Sequence, residues 1–459
     1  VTAFIESYRG SVAAWECDQY GHMNVQFYVG RISDAAVTVM LARGMGPKAM
    51  ARHRLGIAAV DSRVTYRREV RAGALIRMES ALKSLDGRKV VFLHRLFDAE
   101  SGALAMQAEV LGLCFDLETR KSVPFPEEFV RLSRDSMMVG DEPEVQCAIP
   151  APRDGMLPSF CGSVNAWECD QMGHMNVQFY LHRAAEADRQ VFAAIGLPPG
   201  ALRGMGAAIR PLRYHIQFRR ELHSGAATAM RSGLRRAGPD HLDLVHQLVN
   251  TETGEVSAVI EARVGLADAA DGRTALPVPA DALERAAQIA ADFAGPAELP
   301  DQTGPRMPQA PAPNMFETGR ASVDSWECDE HGRLAMRFYM AAFSSAAGSL
   351  YLQDDGSAAA EQARSLGSAA LDYIITFRKP LKAGSAYHIR TGFLELREKT
   401  WRFCHHLIDS GSRETVATAE IVAVMFDKAS RKSVLLPDAV RRAFTERLIS
   451  APAAAAGPR

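Results

Sequence analysis

One ten-residue string occurs three times in this chain. It is Trp15-Glu16-Cys17-Asp18-Gln19-Tyr20-Gly21-His22-Met23-Asn24, then Trp167-Glu168-Cys169-Asp170-Gln171-Met172-Gly173-His174-Met175-Asn176, then Trp326-Glu327-Cys328-Asp329-Glu330-His331-Gly332-Arg333-Leu334-Ala335. The tryptophans stand at positions 15, 167 and 326, which makes the repeat 152 and then 159 residues long. That is the length of a domain, far beyond the period of a solenoid or a propeller blade. Other landmarks keep step. Each copy has an aromatic-basic segment ahead of a glycine, at 66–73, 218–225 and 377–384, and closes on a segment running from Asp to Pro, at 116–126, 268–279 and 427–437. With 459 residues and three full copies, the chain is three domains, each able to bury its own core.

The expected bounds are 1–133, 159–293 and 315–450. Segments 134–158 and 294–314 are rich in Pro and polar residues without hydrophobic periodicity and read as linkers; 451–459 reads as a frayed tail. Charge is balanced at 53 Lys+Arg against 54 Asp+Glu, so no global basic field favours nucleic acid. No stretch approaches the roughly 20 apolar residues of a membrane span. Of seven cysteines, Cys17, Cys169 and Cys328 hold one equivalent position in separate domains, which is not a disulfide framework. With no apolar signal segment at the start, the expectation is a cytoplasmic protein.

Within one copy, a short strand leads into the Trp-Glu-Cys-Asp string, and Gly-His-Met-Asn turns the chain. Asn24 then reads as a helix N-cap. From Val25 to about Met45 the apolar residues Phe27, Tyr28, Ile32, Ala35, Val39 and Met40 fall near helical spacing. The runs Ile57–Val64, Leu75–Leu82, Val90–Phe97 and Ala103–Phe115, punctuated by Asp86-Gly87 and Ser101-Gly102, read as meander strands with hairpin turns. A short amphipathic helix closes copies one and two (127–132 and 281–293). The class is α+β. The tryptophans read as core aromatics, because they persist in the copy that loses His and Asn. The cysteines beside them read as small buried hydrophobes.

This pattern resembles the hotdog-fold thioesterases of acyl-CoA and acyl-carrier-protein esters, and the resemblance covers each copy nearly end to end. It implies three tandem hotdog domains, each a long central helix wrapped by an antiparallel sheet. The Asp-x-x-Gly entry to the helix is similar to that of bacterial hydroxybenzoyl-CoA-type thioesterases, whose Asp is the catalytic carboxylate. Asp-x-x-x-His-x-Asn with Tyr-Arg-Arg-Glu is similar to the plant acyl-carrier-protein thioesterases, whose Asp, His and Glu belong to one catalytic network. The resemblance therefore implicates Asp18, His22 and Glu69 in copy one, and Asp170, His174 and Glu221 in copy two. The chain departs from the plant pattern at Tyr20 and Met172, where that family has Asn. It departs again at Val70 and Leu222, where that family has Cys, so a cysteine mechanism at that position is excluded.

Thioester hydrolysis needs a carboxylate that attacks the carbonyl or activates water, and donors for the developing oxyanion. The unpaired N–H groups opening the helix would polarise the carbonyl. Gly21, Asn24, Gly173 and Asn176 flank that position as candidate substrate-binding residues, and the two Asn also read as plain caps. His22 serves equally to orient the Asp, donate to the carbonyl or protonate the leaving thiolate; Glu69 serves to place water or hold the His. The bland readings are a turn residue for Asp18, a backbone contact for His22 and a surface ion pair for Glu69. Arg67-Arg68, Arg219-Arg220 and Arg120-Lys121 read either as solvated faces or as contacts to CoA phosphates. No metal or other cofactor is expected, since Asp-x-x-x-His has no further His or Cys at ligand spacing.

In copy three, Arg333, Ala335 and Pro380 stand where the others have His, Asn and Glu. That copy is expected to have lost its chemistry and to serve structure, with Arg333 pairing Asp329; a different set, Asp329 with His331, is the alternative. The activity implied is acyl-CoA hydrolysis. The alternatives are hydrolysis of carrier-protein esters, and a non-catalytic acyl-thioester sensor on the same fold. Copies one and two are expected to pack as a pseudo-symmetric pair with the sites at their interface. That leaves copy three to join a second chain in a homo-oligomer.

Overall fold

The computed structural model describes residues 4–134, 137, 155–300, 305–348, 350 and 365–449. The tail 451–459 and most of the first linker lie outside the described residues, as do 301–304 of the second. Copy one runs β1 (Ile5–Ser11), α1 (Val25–Leu41), α2 (Pro47–His53), β2 (Leu55–Tyr66), β3 (Leu75–Asp86), β4 (Lys89–Asp98), β5 (Leu104–Asp116) and α3 (Glu127–Arg134). Copy two repeats this as β6 (Met156–Ser163), α4 (Val177–Ala194), α5 (Pro199–Gly204), β7 (Ala207–Phe218), β8 (Ala227–Ala237), β9 (Leu242–Asn250), β10 (Val256–Asp268), β11 (Ala275–Leu276) and α6 (Ala280–Ala291). Copy three gives β12 (Phe316–Ser322), α7 (Met336–Gly348), β13 (Leu366–Phe377), β14 (Ala386–Leu396), β15 (Thr400–Asp409), β16 (Thr415–Asp427) and α8 (Asp438–Thr445).

The helix after each string forms because apolar residues recur four, three and four positions apart. Tyr28, Ile32, Ala35 and Val39 are buried on α1, and Tyr180, Ala184, Ala187 and Val191 on α4. Each large side chain so buried contributes about 1.5–3 kcal/mol. The small Ala35 and Ala187 let helix and sheet approach closely, so a larger residue there would overpack the contact. Asn24 and Asn176 cap these helices, their side chains accepting from Gln26 N and Gln178 N at 3.2 Å. Helix α1 stops at Leu41, short of the expected Met45, because Gly44 turns the chain at φ 79° and Pro47 opens the unforeseen α2.

All strands join one antiparallel sheet in the order β12-β14-β15-β16-β13-β7-β10-β9-β8-β6-β1-β3-β4-β5-β2, with β11 beside β10. The three copies thus lie end to end with the same internal order. Copies one and two do meet in a pseudo-two-fold arrangement, yet β1 and β6 share only the pair Arg9↔Cys161. Buried polar groups mirrored across the joint hold it. Asp34 accepts from Ser163 Oγ at 2.8 Å and Asn165 Nδ2 at 3.0 Å, while the equivalent Glu186 accepts from Ser11 N at 2.9 Å. Copy three is not left over. β13 pairs with β7 through five residue pairs from Asp372↔Gln217 to Thr376↔Arg213, and α7 lies against α4. The expected pairing between chains through domain 3 thereby loses its premise, because copy three is already paired inside this chain.

A second correction concerns the repeated tryptophans. Trp167 and Trp326 are 56% and 55% exposed. Each stacks edge-on against the aromatic residue in the first turn of its helix: Trp15 on Phe27 at 5.2 Å, Trp167 on Phe179 at 5.7 Å, Trp326 on Phe338 at 5.1 Å. Trp167 and Trp326 brace the string against the helix start instead of filling the core, whereas Trp15 is half-buried against the core. In copies one and two the Glu beside the tryptophan is buried. Glu16 accepts from Ala13 N at 3.0 Å and pairs with Arg31; Glu168 accepts from Asn165 N at 2.8 Å and pairs with Arg183 at 3.0 Å.

Candidate functional site

The Asp of each string builds a turn. Asp18 Oδ1 accepts from Tyr20 N at 2.9 Å and His22 N at 3.2 Å, and Gly21 N donates to Asp18 O at 3.0 Å. Gly21 sits at φ 77°, a left-handed conformation that favours glycine. Asp170 does the same with Met172 N and His174 N, at 2.8 and 3.2 Å, with Gly173 at φ 78°. Asp329 does it again with His331 N and Arg333 N, at 2.9 and 3.0 Å. The turn role is common to all three copies, so it explains why Asp329 survives where His and Glu do not.

The turn is then tied to the segment after β2. Met23 N donates to Val70 O at 2.8 Å, and Met175 N to Leu222 O at 2.7 Å. That brings side chains 47 positions apart together, because His22 and Glu69 sit one residue outside the bonded pair. His22 Nε2 lies 3.0 Å from Glu69 Oε2, and His174 Nε2 lies 3.4 Å from Glu221 Oε2. The His22 contact is close but lacks hydrogen-bond alignment. The histidines are largely covered, at 21% and 17% exposure, whereas Glu69 and Glu221 are 68% and 48% exposed.

Copy two has two neighbours that the sequence reading missed. Arg431, from copy three, bonds Glu221 and lies 3.3 Å from His174 Nε2. The His223 ring stands edge-on to His174 at 4.8 Å. Burial lowers the His174 pKa, Arg431 and His223 lower it further, and Glu221 and Asp170 oppose them. His174 is therefore held toward its neutral form. His174, Glu221 and His223 offer three metal-ligand atoms within 4.8 Å of one another. Arg431 already occupies Glu221, and copy one has Arg71 in place of His223, so the donor set fits a cation poorly.

Copy three keeps the turn and changes its contents. The Arg333 side chain turns away from Asp329 and bonds Ala269 O of copy two, which corrects the expected Arg333–Asp329 pairing. Burial raises the Asp329 pKa, with Glu330 adding to the effect. Burial also works against Glu330, yet Arg189 at 2.6 Å outweighs it and holds that carboxyl down to about 2. A cavity of about 490 Å³ opens here, where the three copies meet, lined by Trp15, His182, Arg189, Asp329, His331 and Arg333.

Two other features look reactive but are closed. Burial pushes the Cys17 thiol up to about 11, away from the thiolate a nucleophile needs. Ser232, His246 and Asp188 form a hydrogen-bonded chain at 2.6 and 3.1 Å, but Ser232 and His246 have no exposed surface. It is a satisfied core network.

The sequence profile of the thioesterase-like superfamily matches residues 12–132, 164–286 and 323–444. Comparison with curated proteins gives no significant match. Among solved structures, similar chains include a 12:0-ACP thioesterase from Umbellularia californica (11% identity, 59% of this chain and 95% of that one, TM-score 0.45). An acyl-ACP thioesterase from Bacteroides thetaiotaomicron gives 10% identity, 59% and 98% coverage and TM-score 0.44. A 1,4-dihydroxy-2-naphthoyl-CoA thioesterase from Synechocystis gives 14%, 28% and 96%, and 0.27. At these TM-scores the likenesses locate no reacting group.

Proposed function

Because this chain belongs to the thioesterase-like superfamily through all three of its copies, we propose that it hydrolyses an acyl-CoA thioester at two sites, one in copy one and one in copy two. The observation that carries this reading is the His–Glu couple set against the Asp turn in both copies and absent from the third. Asp18 and Asp170 supply the carboxylate that directs water, or attacks, at the thioester carbonyl. The N–H groups of Val25 and Val177, which open α1 and α4 ahead of the capped Gln26 and Gln178, receive the oxyanion, with Gly21 and Gly173 leaving the approach open and Asn24 and Asn176 fixing the helix start. His22 and His174, steadied by Glu69 and Glu221, take up the proton that the attacking water loses and pass it to the departing CoA thiolate as the C–S bond breaks. Products are the free acid and CoA.

The test is release of thiol from a panel of short, long and aromatic CoA esters. Replacing both Asp18 and Asp170 by Asn should lower kcat by at least about a hundredfold, with each single variant keeping part of the activity. Near wild-type turnover in the double variant would reject the assignment. The cavity beside Asp329 favours a second role for copy three, holding an acyl thioester without cleaving it. Calorimetric titration of the double variant with a non-hydrolysable CoA thioether checks this: saturable binding that is lost on narrowing the cavity with Ala335→Trp supports it, and unaltered binding rejects it.

A further inference from the structure

The three changes that empty copy three of its chemistry all run in one direction. Arg333 stands where copies one and two have His22 and His174, and adds a fixed cation. Pro380 stands where they have Glu69 and Glu221, and removes a carboxylate. Ala335 stands where they have Asn24 and Asn176, and uncaps a helix. Those Asn side chains accept from Gln26 N and Gln178 N, whereas Ala335 has no side-chain oxygen to offer the equivalent amide of Arg337. The amides of Met336 and Arg337 thus open the thirteen-residue α7 as free donors at the positive end of its dipole. A negative charge lost, a positive charge gained and a donor freed turn an acid–base site into a site for an anion.

Arg333 shows independently that a counter-charge is missing. It is 6% exposed, and a guanidinium so covered ordinarily meets a carboxylate. Among the described residues Arg333 meets none. One of its Nη atoms donates to Ala269 O, on the loop of copy two that follows β10, and its Nε has no partner. That loop admits the side chain because Gly272 has no Cβ, which would stand 2.6 Å from the guanidinium carbon. The neighbouring carboxylates are engaged elsewhere. Asp271, which feels the field of Arg333, bonds Arg273 N at 2.7 Å and Thr274 Oγ1 at 2.6 Å. Glu330 is held by Arg189, and Asp329 Oδ1 accepts the two amides of its own turn.

Arg333 and the opening residues of α7 line the same cavity of about 490 Å³. Its wall carries seven Arg or Lys against four Asp or Glu, which favours an anionic occupant. Leu197, Leu202, Ile209 and Phe377 give the wall an apolar part. Cavities of roughly 300–1,000 Å³ suit organic ligands, far larger than a bare ion. The ligand that answers all of this is an anion with an apolar body. A carboxylate has one oxygen for the guanidinium and one for the α7 amides. A thioester carbonyl is neutral and leaves the guanidinium without a counter-charge, and inorganic phosphate leaves the apolar wall bare.

We propose that copy three is a carboxylate-binding domain, in which Arg333 and the first amides of α7 hold a free organic acid in this cavity. The site stands on the geometry alone; that its ligand is the acid released by copies one and two rests on the thioesterase reading. The cavity that offers room for a thioester thus prefers the acid formed from one.

Calorimetric titration of the full chain with butyrate, octanoate and phenylacetate tests this. At least one acid should bind saturably, and its neutral primary amide should bind at least about tenfold more weakly. Arg333→Met should weaken the acid by a similar factor. Ala335→Asn restores the helix cap, so it should raise the unfolding temperature and still weaken the acid, a combination that misfolding cannot produce. No binding by any of the three acids, an amide as tight as its acid, or binding indifferent to Arg333→Met would overturn the proposal. Displacement of octanoate by an equal concentration of inorganic phosphate would mark a bare anion site and reject the carboxylate. Tighter Arg333-dependent binding of the octyl-CoA thioether than of octanoate would mark a thioester site and reject it too. If no CoA ester is hydrolysed while octanoate still binds through Arg333, the thioesterase reading falls and this site stands. Hydrolysis with no acid bound has the opposite meaning.

Discussion

Arg431→Met is the sharpest perturbation of the copy-two site, because it leaves the copy's own residues untouched. Arg431 Nη2 lies 3.3 Å from His174 Nε2 and bonds Glu221. At that distance two unit charges repel by about 1.3 kcal/mol even with bulk-water screening, which is the lower limit for a histidine as covered as His174. Burial is the main cause of the lowered His174 pKa and remains in the variant; the Arg431 contribution is removed. Glu221, freed from its arginine, also acts more fully on His174. Both changes raise the histidine pKa. The assay is a pH–rate profile of CoA release with copy one silenced by Asp18→Asn. If neutral His174 is the working form, the acidic limb moves to higher pH; if the protonated form works, the alkaline limb moves up. The direction is upward in either case, and raised salt should shrink the difference between variant and parent. The same substitution with copy two silenced should leave the remaining profile unchanged. A static profile in the first background, a downward shift, or an equal shift in both would refute the reasoning.

Asp329→Asn in the otherwise intact chain should leave turnover unchanged with every active substrate, since copy three has neither the His nor the Glu; a large fall in kcat with the fold retained would show chemistry there. Burial raises the Asp34 pKa to about 6 against an ordinary 3.8, so the folded state binds the proton more tightly and this carboxyl's contribution is lost as pH rises between those values. The stability of Asp34→Asn relative to the parent, from urea unfolding, should therefore improve by about 2 kcal/mol from pH 4 to pH 7, and a flat difference would reject this.

The repeat made the architecture legible, because a 152-residue period leaves no other division and the helix periodicity survives in every copy. The Asn24 cap and the Gly21 turn were readable since each needs a specific residue for a local backbone reason. The tryptophans were misread because persistence was taken to mean burial; a residue bracing a turn persists equally well. Arg431 was missed for a different reason. It acts on His174, 257 positions earlier, and only the β7–β13 pairing brings them together. One signal was present: arginine recurs at 120 and 431, inside segments that otherwise look like ordinary turns.

Copy three looks expendable when its own residues alone are considered, and the joint with copy two argues otherwise. Its changes are matched by changes in its neighbour. Where His gives way to Arg333, the facing loop of copy two has Gly272, the residue that leaves room for the larger side chain. Where copy two keeps His174 and Glu221, the facing loop of copy three keeps Arg431. The cation is present at both positions and differs only in which copy supplies it. Copy three also covers the edge of β7, which would otherwise stand as open as β2. An arginine stands on the loop that reaches a neighbour's His–Glu pair, in a copy that has Arg333 and Pro380 where its neighbour has that His and Glu. The pattern fits a domain that has given up its own site and is retained for what it lends across the joint.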